Sequence, residues 1–399
     1  MSRRSLATAL VAFGLASHAF FVPISIAAMQ IALGVAVLGL LLDFEKPRQP
    51  PLDLPIIAFV AVCVLSDLIS PFGPPPLAFA TLWRPVVGYF VITHGLRRLP
   101  PAWPGRLYLF AGAGLAIASI VGLVQYRTGI DLVHLAHLRE RPALVQAPGV
   151  PDRFGAMGFF ISRLTFGHVA ALLSTLIAGG LVSGAVRSKW LRAVVALALA
   201  AVAVTFDRGA YLGLAAASLV IVLLAATSSN APRMRGRLLI GGLALVALLA
   251  ALNPGVRGRF QSSFSTSGNG DRVFIWARAK EIIRDHPLRG IGFGNYPRVC
   301  GEYYDRVDKT FPMRTWAHNL ELSTLAETGP LGLLAIFWLL GSAALLLWRK
   351  RSIGGLAALT AFVAIAQAHD LLYDNKVMYA LWLSVALGAS ARSPEAKAA

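Results

Sequence analysis

The residues of this chain able to do chemistry are one histidine and a set of scattered arginines, placed where apolar sequence turns polar. In Trp316-Ala317-His318-Asn319-Leu320-Glu321 an indole, an imidazole, an amide and a carboxylate share six positions at the start of an apolar helix. A helix N-terminus carries positive potential, which keeps an imidazole neutral. A neutral imidazole can accept a proton, as a general base must. The alternative for His318 is a packed or capping residue beside the tryptophan. Asp207 and Arg208 in "VAVTFDRGAYLG" interrupt an otherwise apolar hairpin. A charge so placed costs roughly 2.5–3.5 kcal/mol on insertion scales and marks a ligand pathway, unless the two residues pair with each other at the turn. In "GDRVFIWARAKEIIRDHPLRG" a short helix is expected, with Asp271 as N-cap and Pro287 as its stop. Arg272, Trp276, Ala279 and Ile283 share one face, while Arg278 falls on the other, as a solvated partner of Glu281. Arg272 is then the cation that follows the apolar face inward, or one that snorkels to lipid headgroups.

Arg84 in "ATLWRPVVGYF" and Arg153, Arg163 and His168 in "RFGAMGFFISRLTFGHVAALL" sit at helix ends, as ligand contacts or interfacial anchors. Asp370 and Asp374 in "AHDLLYDNK" read as caps of an acidic turn. Several arginines and one histidine with almost no unpaired acid favour a phosphate-bearing ligand. Guanidinium forks match phosphate oxygens and keep their charge. A lipid-linked pyrophosphate fits such a set, and fixed cations would stabilise the charge that builds on a departing diphosphate. Neither a metal nor another cofactor is expected. His134, His137 and Glu140 in "HLAHLRE" have helical metal-ligand spacing, but no further ligand accompanies them and an amphipathic surface helix is the expectation. The glycines of "RGIGFGNYP" follow a helix rather than a strand, which argues against a dinucleotide loop and for a tight turn with close backbone approach.

The elements that must carry these residues are membrane helices. The 399-residue chain is 56% hydrophobic and 14% charged, against about 25% charged in soluble domains. Apolar runs recur throughout, each able to cross a hydrocarbon core of ~30 Å. They do not alternate, so a β-barrel is excluded. About twelve spans are expected, at 5–22, 25–43, 53–70, 77–96, 106–125, 158–182, 190–206, 209–227, 237–252, 320–348, 353–370 and 375–391, in one transmembrane domain over 1–399. The first apolar stretch runs on past Pro23 to Leu42, which reads as two spans and a tight turn rather than a cleaved signal. "EKPRQP", "RRLPPAWPGR", "RSKWLR", "PRMRGR" and "WRKRS" all carry Lys or Arg, which puts them and both termini on the cytoplasmic side. The formal charge of +18 then speaks of orientation and lipid phosphates rather than nucleic acid. Two long loops remain on the outer side, 126–157 and 253–319. Loops of that length inside a compact fold are usually functional. Cys63 and Cys300 give no disulfide framework, no internal repeat is visible, and only the tail "SARSPEAKAA" reads as disordered.

"TFDRGAYLG", "GDRVFIWARAKEIIRDHPLRGIGFGNY" and "HNLELSTLAETGPLGLL", in this order and spacing, resemble the signature regions of the O-antigen ligase and O-antigen polymerase superfamily, over roughly residues 155–345. "GFFISRLTFGHVAAL" is more similar to the ligase branch. The resemblance implies an all-α inner-membrane glycosyltransferase of the GT-C type, inverting and metal-independent, with its active site facing the periplasm. The partly helical loop between the ninth and tenth spans would carry catalytic elements. The implied donor is a glycan on undecaprenyl pyrophosphate, and for a ligase the acceptor is a sugar hydroxyl of lipid A–core in lipopolysaccharide synthesis. By position, His318 matches the family's histidine, Arg272 its loop arginine, and Arg208 the arginine of an "SRG"-like turn, with Asp207 where Ser is common. Arg208 and Arg272, with Arg84, would hold the pyrophosphate. Asn319, Glu321, Trp276 and Arg163 would support, with His318 as base or as phosphate clamp. The rival readings are an O-antigen polymerase, a protein O-oligosaccharyltransferase, and a lipid-linked oligosaccharide flippase. A flippase would carry its cations near the bilayer midplane between repeated halves.

Overall fold

The computed structural model describes residues 2–44, 52–75, 78–131, 133, 134, 153–227, 254–262, 266–310 and 316–390, with 78–82, 259–262 and 266–269 as backbone only. Among these residues the regular structure is all helical. The helices are α1 Arg3–Phe21, α2 Ile26–Leu42, α3 Asp53–Leu68, α4 Ala78–Arg98, α5 Trp103–Thr128, α6 Arg163–Ser183, α7 Lys189–Ala203, α8 Arg208–Thr227, α9 Pro254–Ser262, α10 Thr266–Asp285, α11 Tyr296–Asp305, α12 Leu320–Arg349, α13 Ile353–Ala366 and α14 Asn375–Ala389. Eleven of the twelve expected spans coincide with one of these, and the span expected at 237–252 lies outside the described residues. Five helices, α1, α5, α6, α8 and α12, are long and apolar enough to cross a membrane. The chain is a polytopic membrane protein.

α6 is the axis of the bundle. Of its most apolar window 94% is buried, against 28% for α8, so lipid-like surface belongs to the outer helices and not to α6. α6 is packed by α7, α8, α13 and α14. Small residues permit this, because helices in lipid associate through close van der Waals packing rather than by escape from water. A Cβ on Gly179 of α6 would lie 2.4 Å from Gly354 Cα of α13. α1 and α2 form a hairpin in which a Cβ on Gly14 would meet the Ala32 carbonyl at 2.6 Å.

A smaller lobe is built by α10, α11 and the first turns of α12. Ile275, Ala279 and Ile282 of α10 pack there against Tyr296, Val299, Cys300 and Tyr303 of α11. α10 begins at Thr266, so Asp271 lies a turn inside it and is not the N-cap expected. Gly268 and Gly270 lower helix propensity without forbidding a helix, and propensity is a weak prior against packing. α6 begins at Arg163, later than expected, because Ser162 caps it by accepting from the amides of Leu164 and Thr165.

α12 is broken at Gly329, whose φ of 66° and ψ of −170° are not helical, next to Pro330. Proline has no N–H and leaves the carbonyl four residues earlier without its helical donor. That carbonyl belongs to Ala326, and Ile291 N–H bonds it at 3.0 Å. Glu327 O accepts from Gly292 N–H at 2.8 Å and from Ser66 Oγ at 2.7 Å. The glycine-rich loop is therefore the turn of close approach that its sequence suggested, and it docks on the break. The positive φ of Gly329 and the 2.2 Å that would separate its Cβ from Leu288 O leave no room for a side chain. Gly329→Ala should lower the thermal midpoint of the detergent-purified protein by several degrees, with a cost of order 1–3 kcal/mol from the left-handed backbone alone. Tryptophan fluorescence during heating reads it.

Candidate functional site

The connector 367–374, between α13 and α14, is where the separate pieces meet. Arg272, on the inward face of α10, donates from Nη1 to Ala368 O at 2.5 Å and to His318 O at 3.3 Å. Trp276, one turn on, donates to Ala317 O at 3.1 Å. The backbone N–H of His318 donates to Asp370 Oδ2 at 2.5 Å, and Ser323 Oγ donates to the other carboxylate oxygen. Asn319 caps α12, accepting from Leu322 N–H at 2.9 Å, and donates to Gln367 O at 3.2 Å. Gln367 donates in turn to Glu321 at 2.7 Å. His318 has φ +52°, a left-handed conformation unusual for a residue with a Cβ. Its amide and its carbonyl are both held from outside, which fixes where the imidazole stands.

A second strained turn lies beside the first. Phe206 has φ +56°, and Arg163 secures that turn by donating from Nη1 to Thr205 O at 2.7 Å and Phe206 O at 3.0 Å. Asp207 then accepts the amides of Gly209 at 3.0 Å and Ala210 at 3.3 Å, which caps α8 and places Arg208 at its first position. The buried Asp207 carboxylate also meets two imidazoles, His168 Nε2 at 2.8 Å and His369 Nε2 at 3.4 Å. The His369 ring stands edge-on to His318 with centroids 6.4 Å apart. Burial pushes the Arg272 guanidinium down, and the charges of Asp207, Arg208 and Asp370 all register on it. Arg208, Arg272 and His318 thus belong to one neighbourhood.

Burial sets the protonation states here. It pushes His318 down to about 4, helped by His369 and Arg272, so the imidazole is neutral at pH 7. It raises Asp370 to about 7, against the opposing hydrogen bonds from Ser323, His318 and Asn319. At Asp207 burial is overcome by His168 and His369, which hold the carboxyl well below its usual range. The arrangement offers a neutral, oriented proton acceptor beside two cations.

Residues 193–337 match the family model described as O-antigen ligase. That match supports a relation to the O-antigen ligase and polymerase superfamily over this region. No curated protein matches it. The matched region contains Asp207, Arg208, Arg272 and His318, while His168, His369 and Asp370 lie outside it.

The residues expected from sequence separate into two groups. His318, Arg272, Trp276, Asn319 and Glu321 meet at the connector, and Arg208 and Arg163 join them through the Asp207 turn. Arg84 takes part in none of these contacts. It is exposed on α4, one turn from Gly88, which packs against Tyr379 of α14. Asp207 turns its carboxylate to imidazoles, an arrangement foreseen neither by the ligand-pathway reading nor by its alternative of a pairing with Arg208. Asp374 is the expected cap, accepting from Lys376 and Val377 amides, and it also binds Thr165 at 2.6 Å. Asp370 is not a cap, because its oxygens are taken by His318 and Ser323. Arg278 pairs with Glu281 at 2.7 Å as expected, yet its side chain is only 12% exposed and lies over Phe274. His369 was missed as a site residue, Asp370 was read only as a cap, and His168 was read as a ligand contact or an interfacial anchor. The signal was available in "AHDLLYDN", a histidine and two acids within a short connector between apolar helices, where charge is costly unless paired.

Two histidine clusters bear on metal binding. His134 binds Asp131 at 2.7 Å, whereas His137 and Glu140 lie outside the described residues. The ligand atoms of His168, Asp207 and His369 lie within 4.8 Å of one another. Both imidazoles, however, turn Nε2 toward the same carboxylate, two of whose bonds go to backbone amides. Arg208 and Arg272 add positive charge nearby.

Asp370 makes a pH signature. Its folded pKa lies above the ordinary carboxylate value of 3.8. Its contribution to stability is therefore complete below about pH 4 and is lost as pH rises through about 7. Asp370→Asn should flatten the fall of the thermal midpoint across that window, read by fluorescence at a series of pH values.

Proposed function

We propose that the protein is an O-antigen ligase, a metal-independent, inverting glycosyltransferase of the GT-C type. It moves a glycan from undecaprenyl pyrophosphate to a sugar hydroxyl of lipid A–core. It works at the periplasmic face of the bacterial inner membrane, with both termini cytoplasmic. The observation that carries this reading is the clamped, neutral His318 beside Arg272 and Arg208. The two guanidiniums hold the donor diphosphate, and Arg208 does so from the first position of α8, where helix amides add positive potential. His318 takes the proton of the acceptor hydroxyl as that oxygen attacks the anomeric carbon from the face opposite the diphosphate. Asn319 and Glu321 fix the start of α12 against Gln367 and so hold the imidazole in register. Arg163 and Trp276 secure the two turns on which Arg208 and His318 stand. Arg84, exposed on α4, would assist in holding the diphosphate.

The test is glycan transfer by purified protein in detergent, with an undecaprenyl-pyrophosphate-linked O-antigen and lipid A–core. A flippase needs a sealed bilayer and would show nothing. His318→Ala should slow transfer by about 10²–10⁴-fold, the usual contribution of a general base; a wild-type rate would exclude that role. Because the base form exists above its lowered pKa, kcat/KM should hold steady through neutral pH and fall only toward about 4. Deletion of the gene separates the branches. Loss of a ligase leaves bare core with lipid-linked polymer accumulating, loss of a polymerase leaves core with one repeat unit, and loss of a protein ligase leaves lipopolysaccharide unchanged.

A further inference from the structure

We propose that Asp207 and His369 form a relay dyad that receives the proton taken up by His318, so that the positive charge produced by glycosyl transfer settles on an imidazole paired with a buried carboxylate. The proposal rests on the reading of His318 as the base. His318 has no carboxylate partner on its ring among the described residues, since Asp370 holds its backbone N–H instead. The Arg272 guanidinium disfavours a proton on either imidazole, but only His369 has the Asp207 carboxylate to oppose it. His369 is the nearest alternative, edge-on to His318. Its Nε2 faces Asp207 Oδ1 at 3.4 Å, which puts the hydrogen of the neutral ring on Nε2 and leaves Nδ1 as the acceptor. A base oriented from behind by a carboxylate is the general form of an activated imidazole.

The fold makes room for this contact. A Cβ on Gly209 would fall 2.7 Å from His369 Cδ2 and 2.8 Å from Nε2, so only glycine at this position lets the ring reach Asp207. The Gly209 and Ala210 amides keep the carboxylate fixed. His168 of α6 contributes a third imidazole, its ring 4.5 Å from that of His369. The groups around His369 are therefore His168 from α6, Asp207 before α8, Arg208 at the start of α8, Arg272 of α10, His318 before α12, and Asp370 beside it. Asp207 and Asp370 are the anions of this set, and Asp370 is committed to a backbone amide and a hydroxyl. In the step itself the acceptor O–H bond breaks and its electron pair forms the new bond to the anomeric carbon. The bond from that carbon to the diphosphate oxygen breaks, with its pair leaving on phosphate. The proton passes from the hydroxyl to His318 and on to Nδ1 of His369, and is released to solvent with the products. His369 and Asp207 act through His318 and are positioning residues.

Asp207→Asn, His369→Gln and Gly209→Ala, assayed in detergent with the same donor and lipid A–core, test the dyad. Each should lower kcat by about 10-fold to 10²-fold, within the range of proton-transfer contributions, with KM close to wild type. In Asp207→Asn the acid limb of kcat should move to lower pH, because an imidazole without its carboxylate is less basic. A merely structural contact would not move that limb. Nitrogen NMR of the histidine rings in the wild-type protein adds a readout free of substrate. His369, assigned by its loss in His369→Gln, should be protonated on Nε2 and bare on Nδ1 at neutral pH. The opposite tautomer would overturn the proposal even if the variants failed to fold. Wild-type kcat and pH profile in Asp207→Asn and His369→Gln, with His318→Ala impaired, would discard the dyad and leave His318 as base. An active His318→Ala would discard both. Loss of transfer in a chelator, restored by zinc, would make the trio a metal site and overturn the relay.

Discussion

One residue held in an unfavourable conformation organises this end of the molecule. His318 stands at φ +52° with its N–H bound by Asp370 and its carbonyl by Arg272. Such a conformation costs on the order of 1–3 kcal/mol and persists only where the surroundings over-determine it. Here the surroundings are two parts of the chain far apart in sequence, α10 and the connector 367–374. Arg272 crosses from one to the other through Ala368 O. The position of the imidazole is thus set by tertiary structure and not by the helix that follows it. Release of either partner would free the backbone to relax toward ordinary helical geometry, and the ring would swing away from the guanidiniums.

The lobe that carries Arg272 is in turn fixed by a defect in α12. Pro330 removes a helical hydrogen bond, Gly329 departs from helical backbone, and the orphaned carbonyls of Ala326 and Glu327 are taken up by the loop after α10. Buried carbonyls demand partners, so the break and the loop need each other. Tyr373 joins them by bonding the Glu327 carboxylate and accepting from Gly294 N–H at 3.2 Å. Its ring also stacks near Trp316, with centroids 4.1 Å apart. The connector is therefore locked to α12 as well as to α10. The mobility of a loop is the usual objection to a site built on loops, and here each loop is tied at both ends to a helix.

Much of this was legible in the sequence, and the part that was not has a physical reason. Length and unalternating apolarity locate helices because, a β-barrel aside, nothing else spans lipid, and the 3.6-residue period put Arg272, Trp276 and Ala279 on the face of α10 that turned inward. Arg208 and His318 announced themselves as polar groups at apolar boundaries. The partners of Asp207 did not, because its neighbour in sequence, Arg208, was the plausible counter-ion, while the imidazoles that meet it come from residues 168 and 369. Pairings of that separation leave no periodic trace. Asp370 was misread for the same reason. An acid before a helix looks like a cap, and only the fold shows that Asp374 does the capping while Asp370 reaches His318.

The helix directions at this end deserve to be read together with its charges. α6, α8, α12 and α14 all begin here, since Thr165 bonds Asp374, Asp207 meets His369, and His318 bonds Asp370. Each is capped by a side-chain oxygen, from Ser162, Asp207, Asn319 and Asp374 respectively. Capping satisfies one or two amides per helix and leaves the aligned peptide dipoles in place. Four helix N-termini converge beside Arg163, Arg208 and Arg272, with Asp207 and Asp370 offsetting part of that positive charge. On the proposed function, such a region would serve a diphosphate through guanidinium forks at short range and dipoles at longer range, while burial, with His369 and Arg272, keeps the His318 imidazole neutral.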